Sequence, residues 1–210
     1  MCFSAQASFI ASGVLATIGT LVLKKVIHKK RFTLVPFAIV PMLFALQQAI
    51  EGFVWIFATH SQYHEYLLPA SYGFLFFAFF LWPIWIPFSL YSIETHAYRR
   101  NVLAVSLGIG ATVSTGLAYL SWYFGIASSI SCSHIAYAIN LPEVPHAWAL
   151  ITYIFATVMP FFISSKRKAH YFGILLIASI LITLWFYCAW FTSVWCFFAA
   201  LISLLIYWFV

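Results

Sequence analysis

Charge is what this chain has least of. Only 7% of its residues are Asp, Glu, Lys or Arg, against 65% hydrophobic and 21% aromatic. That leaves too little polar surface to cover a water-soluble globule of 210 residues, so the chain belongs in a membrane. Other absences narrow the function. No Lys falls inside the apolar runs, which removes the attachment point a retinal Schiff base would need. No run carries spaced arginines, as a voltage sensor does. Neither GxGxxG nor GxxxxGK[ST] occurs, so nothing points to a nucleotide site, and there is no tight CxxC or HExxH spacing. With four acids and no long basic tail, nucleic-acid binding has no sequence support.

What is present is a series of long apolar runs. A helix needs about 20 such residues to cross the hydrocarbon core, and breaks at charged or turn-forming residues leave about seven candidates: roughly 3–23, 32–58, 66–93, 101–126, 147–164, 171–190 and 192–210. Because the runs are continuous and lack the short alternation of barrel strands, they predict an all-α polytopic transmembrane bundle, one domain over 1–210. The last two spans share one apolar stretch, which a turn near Phe191-Thr192-Ser193 is expected to divide. Pro83 and Pro87 are expected to distort the third span and free carbonyls that neighbours or water must satisfy. Nothing basic precedes the first run, so a cleaved signal peptide is not expected.

All ten Lys and Arg fall in three loops: KKVIHKKR, YRR and SSKRKAH, after spans one, three and five. With seven spans those loops share a side. The positive-inside rule makes it cytoplasmic, with the N-terminus outside and the C-terminus inside. Contact of the same clusters with anionic lipid headgroups follows from their charge. This topology gathers Cys2, Cys132, Cys188 and Cys196 toward the outer face, along with His60, His64, His134 and His146.

The stretch LQQAIEGFVW, residues 46–55, places Gln47, Gln48 and Glu51 in the outer half of the second span. An ionisable group there costs at least a few kcal/mol, usually faces the bundle interior or a watery cavity, and marks a candidate site. At 3.6 residues per turn Gln47, Gln48 and Glu51 share one side of the helix, with Trp55 a turn further out. The bland reading is an interhelical hydrogen-bond clamp. The sharper one is a ligand-binding group made of Glu51, Gln47, Gln48, Trp55 and His134.

The cysteines admit disulfides, with three possible pairings, or a role as small apolar residues. They also admit a metal site in which Cys2, Glu51, His134 and Cys196 supply thiolate, carboxylate and imidazole to zinc or copper. In THSQYHEY, His60 and His64 would share a face if the segment were helical, a weaker candidate.

MCFSAQASF, LFALQQAIEGFVW, FLWPIWIP, CSHIAYAI and SVWCFFAA together resemble a family of small bacterial integral membrane proteins that open with MCFSA. The resemblance covers most of the chain and implies a bacterial inner-membrane location. It carries no assigned activity, but it implies that Cys2, Gln47, Gln48, Glu51, Trp82, His134 and Cys196 belong to motif segments. Three functions are expected from these readings. The first is an outer-side polar cavity that binds or transports a small ligand or cation, centred on Glu51. The second is a metal-dependent membrane hydrolase of lipids or amides; the seven-helix zinc hydrolases such as alkaline ceramidases are similar in span count, but their multi-histidine pattern is not matched. The third is an accessory subunit whose polar residues only join helices. The partners expected are membrane lipids, the small ligand or ion and further copies of the chain in a homo-oligomer.

Overall fold

The computed structural model describes residues 4–141 and 146–210, with backbone alone over 146–149. It is an all-α bundle in which six helices are long and apolar enough to cross a membrane: α1 (Ala5–His28), α2 (Phe32–Thr59), α3 (Ser61–Ile93), α4 (Ala97–Phe124), α6 (Arg167–Phe186) and α7 (Cys188–Phe209). Between α4 and α6 stand a hairpin of β1 (Ile126–Ser131) and β2 (His134–Ile139) and the shorter α5 (His146–Ile163). This is an integral membrane protein of about the span count the sequence predicts. Helix α1 is long enough to cross: its 24 residues reach about 36 Å at 1.5 Å per residue, against a core of about 30 Å.

The basic loops meet at one end. Arg99 Nη1 donates to the carbonyls of Ile163 (2.8 Å) and Ser164 (3.1 Å), and Ser92 Oγ to that of Thr33 (3.0 Å), so the loops after α1, α3 and α5 converge. Lys25 and Lys168 donate to the carbonyls of Tyr207 and Trp208, which brings the end of α7 to the same place. The hairpin lies at the opposite end.

Packing follows small residues. Gly19 in α1 meets the Met42 backbone of α2, where a Cβ would come within 3.0 Å of the Met42 nitrogen, and Ser12 Oγ donates to Ala45 O across the same interface. Gly110 in α4 lies so close to α3 that a Cβ would sit 1.8 Å from the Pro83 carbonyl oxygen. That carbonyl is available because Pro87, four residues on, has no N–H to offer it. The prolines act as expected, and the distortion extends N-terminal to them: Phe76–Leu81 winds as a π-helix, a form that accompanies local disruption of the bonding ladder. Neighbouring helices satisfy its carbonyls. Tyr153 Oη of α5 donates to Ala78 O (2.5 Å), and Ser114 Oγ of α4 to Phe80 O (2.8 Å).

Three local expectations are corrected. The last two spans part at Tyr187, with a 3₁₀ turn over Cys188–Trp190 opening α7, a few residues before the turn expected near Phe191-Thr192-Ser193, because Ser193 is drawn into α7 and buried against α2. The stretch after α4 is not a plain loop. Isoleucines at 126, 130 and 135 supply β-branched residues, and the register pairs Ile130 with Ile135. Cys132 and Ser133 close the strands in a two-residue turn, both at positive φ (48° and 59°) as a type I′ turn requires. Finally, Ser61–Tyr66 is a 3₁₀ helix and His60 is extended. In that geometry residues three apart eclipse, so His60 and His64 lose the common face that an α-turn would give them.

Candidate functional site

Helices α2 and α7 run antiparallel and present matched polar rungs. On α2, Gln47 and Glu51 lie one turn apart; on α7, Ser193 and Cys196 do the same. Ser193 Oγ donates to Glu51 Oε1 at 2.5 Å. One turn deeper, Cys196 faces Gln47. Gln48 completes the cluster from within α2, its Nε2 donating to Glu51 Oε2 at 3.0 Å. Gln47 Oε1 accepts from Trp82 Nε1 of α3 at 2.8 Å, and Trp82 stacks on Phe44 at 4.0 Å between centroids. Gln47 and Gln48 are 0% exposed and Glu51 2%. The outward-facing positions of this stretch are taken by other residues, such as Leu46 and Phe53. Two atoms of the cluster keep no hydrogen-bond partner, Gln47 Nε2 and Gln48 Oε1.

Beside this cluster, beneath the hairpin, lies a cavity of about 400 Å³ between β2 and helices α3 to α7. Most of its wall is apolar, including Phe79, Leu120 and Leu184. The polar groups on it are few: Tyr137, Tyr153, Thr192, Trp195, Cys188 and Cys196. Tyr153 is committed to Ala78 O. Tyr137 Oη and Trp195 Nε1 are not, although both atoms are buried. Tyr137 is placed by stacking on Phe74 at 4.6 Å and 8°. Trp195 is placed by Phe191 (5.4 Å) and Tyr153 (5.6 Å). Burial pushes the Tyr137 phenol well above its ordinary value, and the nearby Glu51 carboxyl and Cys196 thiol push it the same way, so it stays a protonated donor. A second cavity of about 50 Å³, almost wholly apolar, shares Tyr153, Trp195 and Cys196 with the first and lies deeper in the bundle.

The sequence-predicted residues divide accordingly. Glu51, Gln47, Gln48 and Cys196 come together. Trp55 lies one turn further along α2 in an apolar cluster with Val54, Leu67 and Ile135. His134 sits at the hairpin tip, Nδ1 at 2.7 Å from Cys132 O and its ring against Trp190 (5.0 Å) and Tyr187 (5.2 Å). Cys2 lies outside the described residues, and among those described no three His, Cys, Asp or Glu side chains gather as a metal site would require. Sequence reasoning missed Ser193, Tyr137 and Trp195. Ser193 and Trp195 lie in the SVWC segment and Tyr137 in CSHIAYAI, so the motifs contained them, but only the fold brings them to Glu51 and the cavity.

No curated protein and no solved structure matches the chain. The buried glutamine and glutamate rungs, the proline-broken third helix and the hairpin-capped cavity thus stand on this chain's own geometry. A family model does cover it from end to end: the chain belongs to a family of unknown function, DUF6629, matched over residues 1–210.

Proposed function

We propose that this protein binds a small, largely apolar ligand bearing a hydrogen-bond acceptor in the cavity beneath the hairpin, entered from the side of the membrane opposite the basic loops. The observation that carries the reading is the pair of buried donors without partners on that wall, Trp195 Nε1 and Tyr137 Oη. A buried N–H or O–H left unsatisfied costs about 1–3 kcal/mol, a cost that an acceptor on the ligand removes. The volume falls within the range of about 300–1,000 Å³ usual for small-molecule sites, and an apolar wall with few polar groups orients a ligand by its polar end. Glu51 stands one residue behind the wall, next to Tyr137 and Cys196. In this reading it is the group that positions α7, through Ser193.

A second reading is supported by the hydrogen bonds themselves. Glu51 to Ser193 joins α2 to α7 and Gln47 to Trp82 joins α2 to α3, as a purely structural clamp would. A density map of the full chain in lipid nanodiscs separates the two. Density in the cavity within about 3.2 Å of Trp195 Nε1 or Tyr137 Oη supports ligand binding; a cavity closed by side chains leaves the clamp. The metal-hydrolase reading gains no support from the described residues.

A further inference from the structure

At the end opposite the hairpin, cations outnumber the acids able to meet them. Glu51 is buried in the bundle, Glu65 lies in the 3₁₀ turn that opens α3 at the other end, and Glu143 lies outside the described residues. Glu94 is at the basic end but is already occupied: it accepts from Thr95 N (2.9 Å), His96 N (3.0 Å), Ser165 Oγ (2.8 Å) and Ser165 N (2.6 Å). Several cations are committed as well. Arg99 is held by two carbonyls, Arg100 lies over the Tyr91 ring at 4.6 Å, and Lys168 lies over Trp208 at 4.4 Å.

Arg31, Lys166 and Arg167 are different. With Lys168 they rim a groove of about 520 Å³ whose lining includes the apolar Leu34, Ile93 and Phe209. Two loops far apart in sequence build this rim, and the Glu94 bonds to Ser165 fix the second beside Thr95, which also lines the groove. Helix α6 begins there, with no side chain capping its first turn, which adds unsatisfied amides to the positive rim. A cationic rim over an apolar floor matches an anionic head joined to an apolar tail.

We propose that this groove is a binding site for a phosphate group carried on acyl chains, the headgroup of an acidic membrane phospholipid, with Arg31, Lys166 and Arg167 as its ligands. Arginine suits the role because its planar fork pairs with two phosphate oxygens at once, and Thr33 and Thr95 bring hydroxyls to the same rim. The site is independent of the cavity beneath the hairpin.

The test is native mass spectrometry of the purified full chain with added phosphatidylglycerol, phosphatidylcholine or inorganic phosphate. Phosphatidylglycerol should bind preferentially over phosphatidylcholine. Arg31→Gln, Lys166→Gln and Arg167→Gln combined should weaken phosphatidylglycerol roughly a hundredfold, from about a fivefold share per cation near the membrane surface. Removing three charges elsewhere on the same end, with Lys24→Gln, Lys29→Gln and Lys30→Gln, should leave most of the preference. Equal losses in the two triple variants would reduce the effect to net charge and overturn the site, as would retention of the preference in the first. Competition by millimolar inorganic phosphate would overturn the lipid as the source and assign the groove to a free phosphate. Each triple variant lies on exposed or half-exposed positions, and an unchanged circular dichroism spectrum confirms that folding is not what was lost.

Discussion

The bond between Glu51 and Ser193 is the most exposed link in this account, and a double-mutant cycle measures it. Ser193→Ala removes one buried hydroxyl donating at 2.5 Å to a carboxyl oxygen. Cycles on interhelical hydrogen bonds in membranes average about 0.6 kcal/mol and reach about 1.7; a short bond to a carboxyl belongs in the upper half, so the single variant should lose about 1 kcal/mol. Glu51→Ala should lose about 3 kcal/mol: about 1 for each of the two donors it orphans, Ser193 Oγ and Gln48 Nε2, and about 1 more for the void left by the side chain. With Glu51 gone, Ser193→Ala removes the orphaned hydroxyl together with its cost, so the double variant should lose no more than Glu51→Ala and as little as about 2 kcal/mol, giving a coupling energy of about 1–2 kcal/mol. Glu51→Gln should stay within about 1 kcal/mol of wild type, because Gln48 Oε1, now without a partner, can turn to accept from the new amide. Reversible SDS unfolding in mixed micelles reads all four. Strict additivity, with coupling below about 0.3 kcal/mol, would mean that α2 and α7 are not joined here and would refute the matched-rung geometry.

Two further predictions probe other levels of the fold. Gly110→Ala places a Cβ 1.8 Å from the Pro83 carbonyl oxygen, a backbone atom that cannot swing aside, so α3 and α4 must separate at a cost of about 1–3 kcal/mol or more; Gly108→Ala in the same helix meets nothing within 4 Å and should be neutral or stabilising by up to about 1 kcal/mol, both read as midpoints of thermal unfolding in detergent. At the basic end, burial raises Glu94, but the bonds from Ser165, His96 and Thr95 outweigh it and hold the carboxyl down at about 2 from its ordinary 4.5. A depressed value stabilises the fold fully above about 4.5 and loses that stabilisation as pH falls through about 2, so stability measured from pH 5 down to pH 2 should fall in wild type, and Glu94→Gln should remove this group's share of the slope.

How much of this was legible in the sequence depends on the distance over which each feature is set. The spans are local, because apolar length alone decides which segments cross a membrane, and the helices recur close to where composition puts them. Pro83 and Pro87 announced a distortion and freed carbonyls, since the missing N–H is a property of the residue itself; that Tyr153 and Ser114 would reach the Ala78 and Phe80 carbonyls of the distorted segment was not readable, because those donors come from other helices. Glu51 stood out through its charge, whereas Ser193, 142 positions away, is an ordinary serine until α7 is laid against α2. The hairpin escaped notice because serines interrupt its apolar residues and its turn uses Cys132-Ser133 in place of the Asn-Gly that signals such turns. The aromatics on either side of Cys188-Ala189 hid the true break for a similar reason: aromatics such as Tyr187 and Trp190 suit a helix or an interfacial turn equally well.

The proposed ligand in the cavity beneath the hairpin is held through Trp195 and Tyr137. Organic extraction of gently purified protein, followed by mass spectrometry, tests it against a variant combining Trp195→Phe and Tyr137→Phe, which removes both donors while leaving aromatic rings in place. A small molecule should be recovered near one equivalent from wild type and fall at least tenfold in the variant, given two hydrogen bonds of about 1 kcal/mol each. No extractable molecule in wild type, or equal amounts in both proteins, would contradict it.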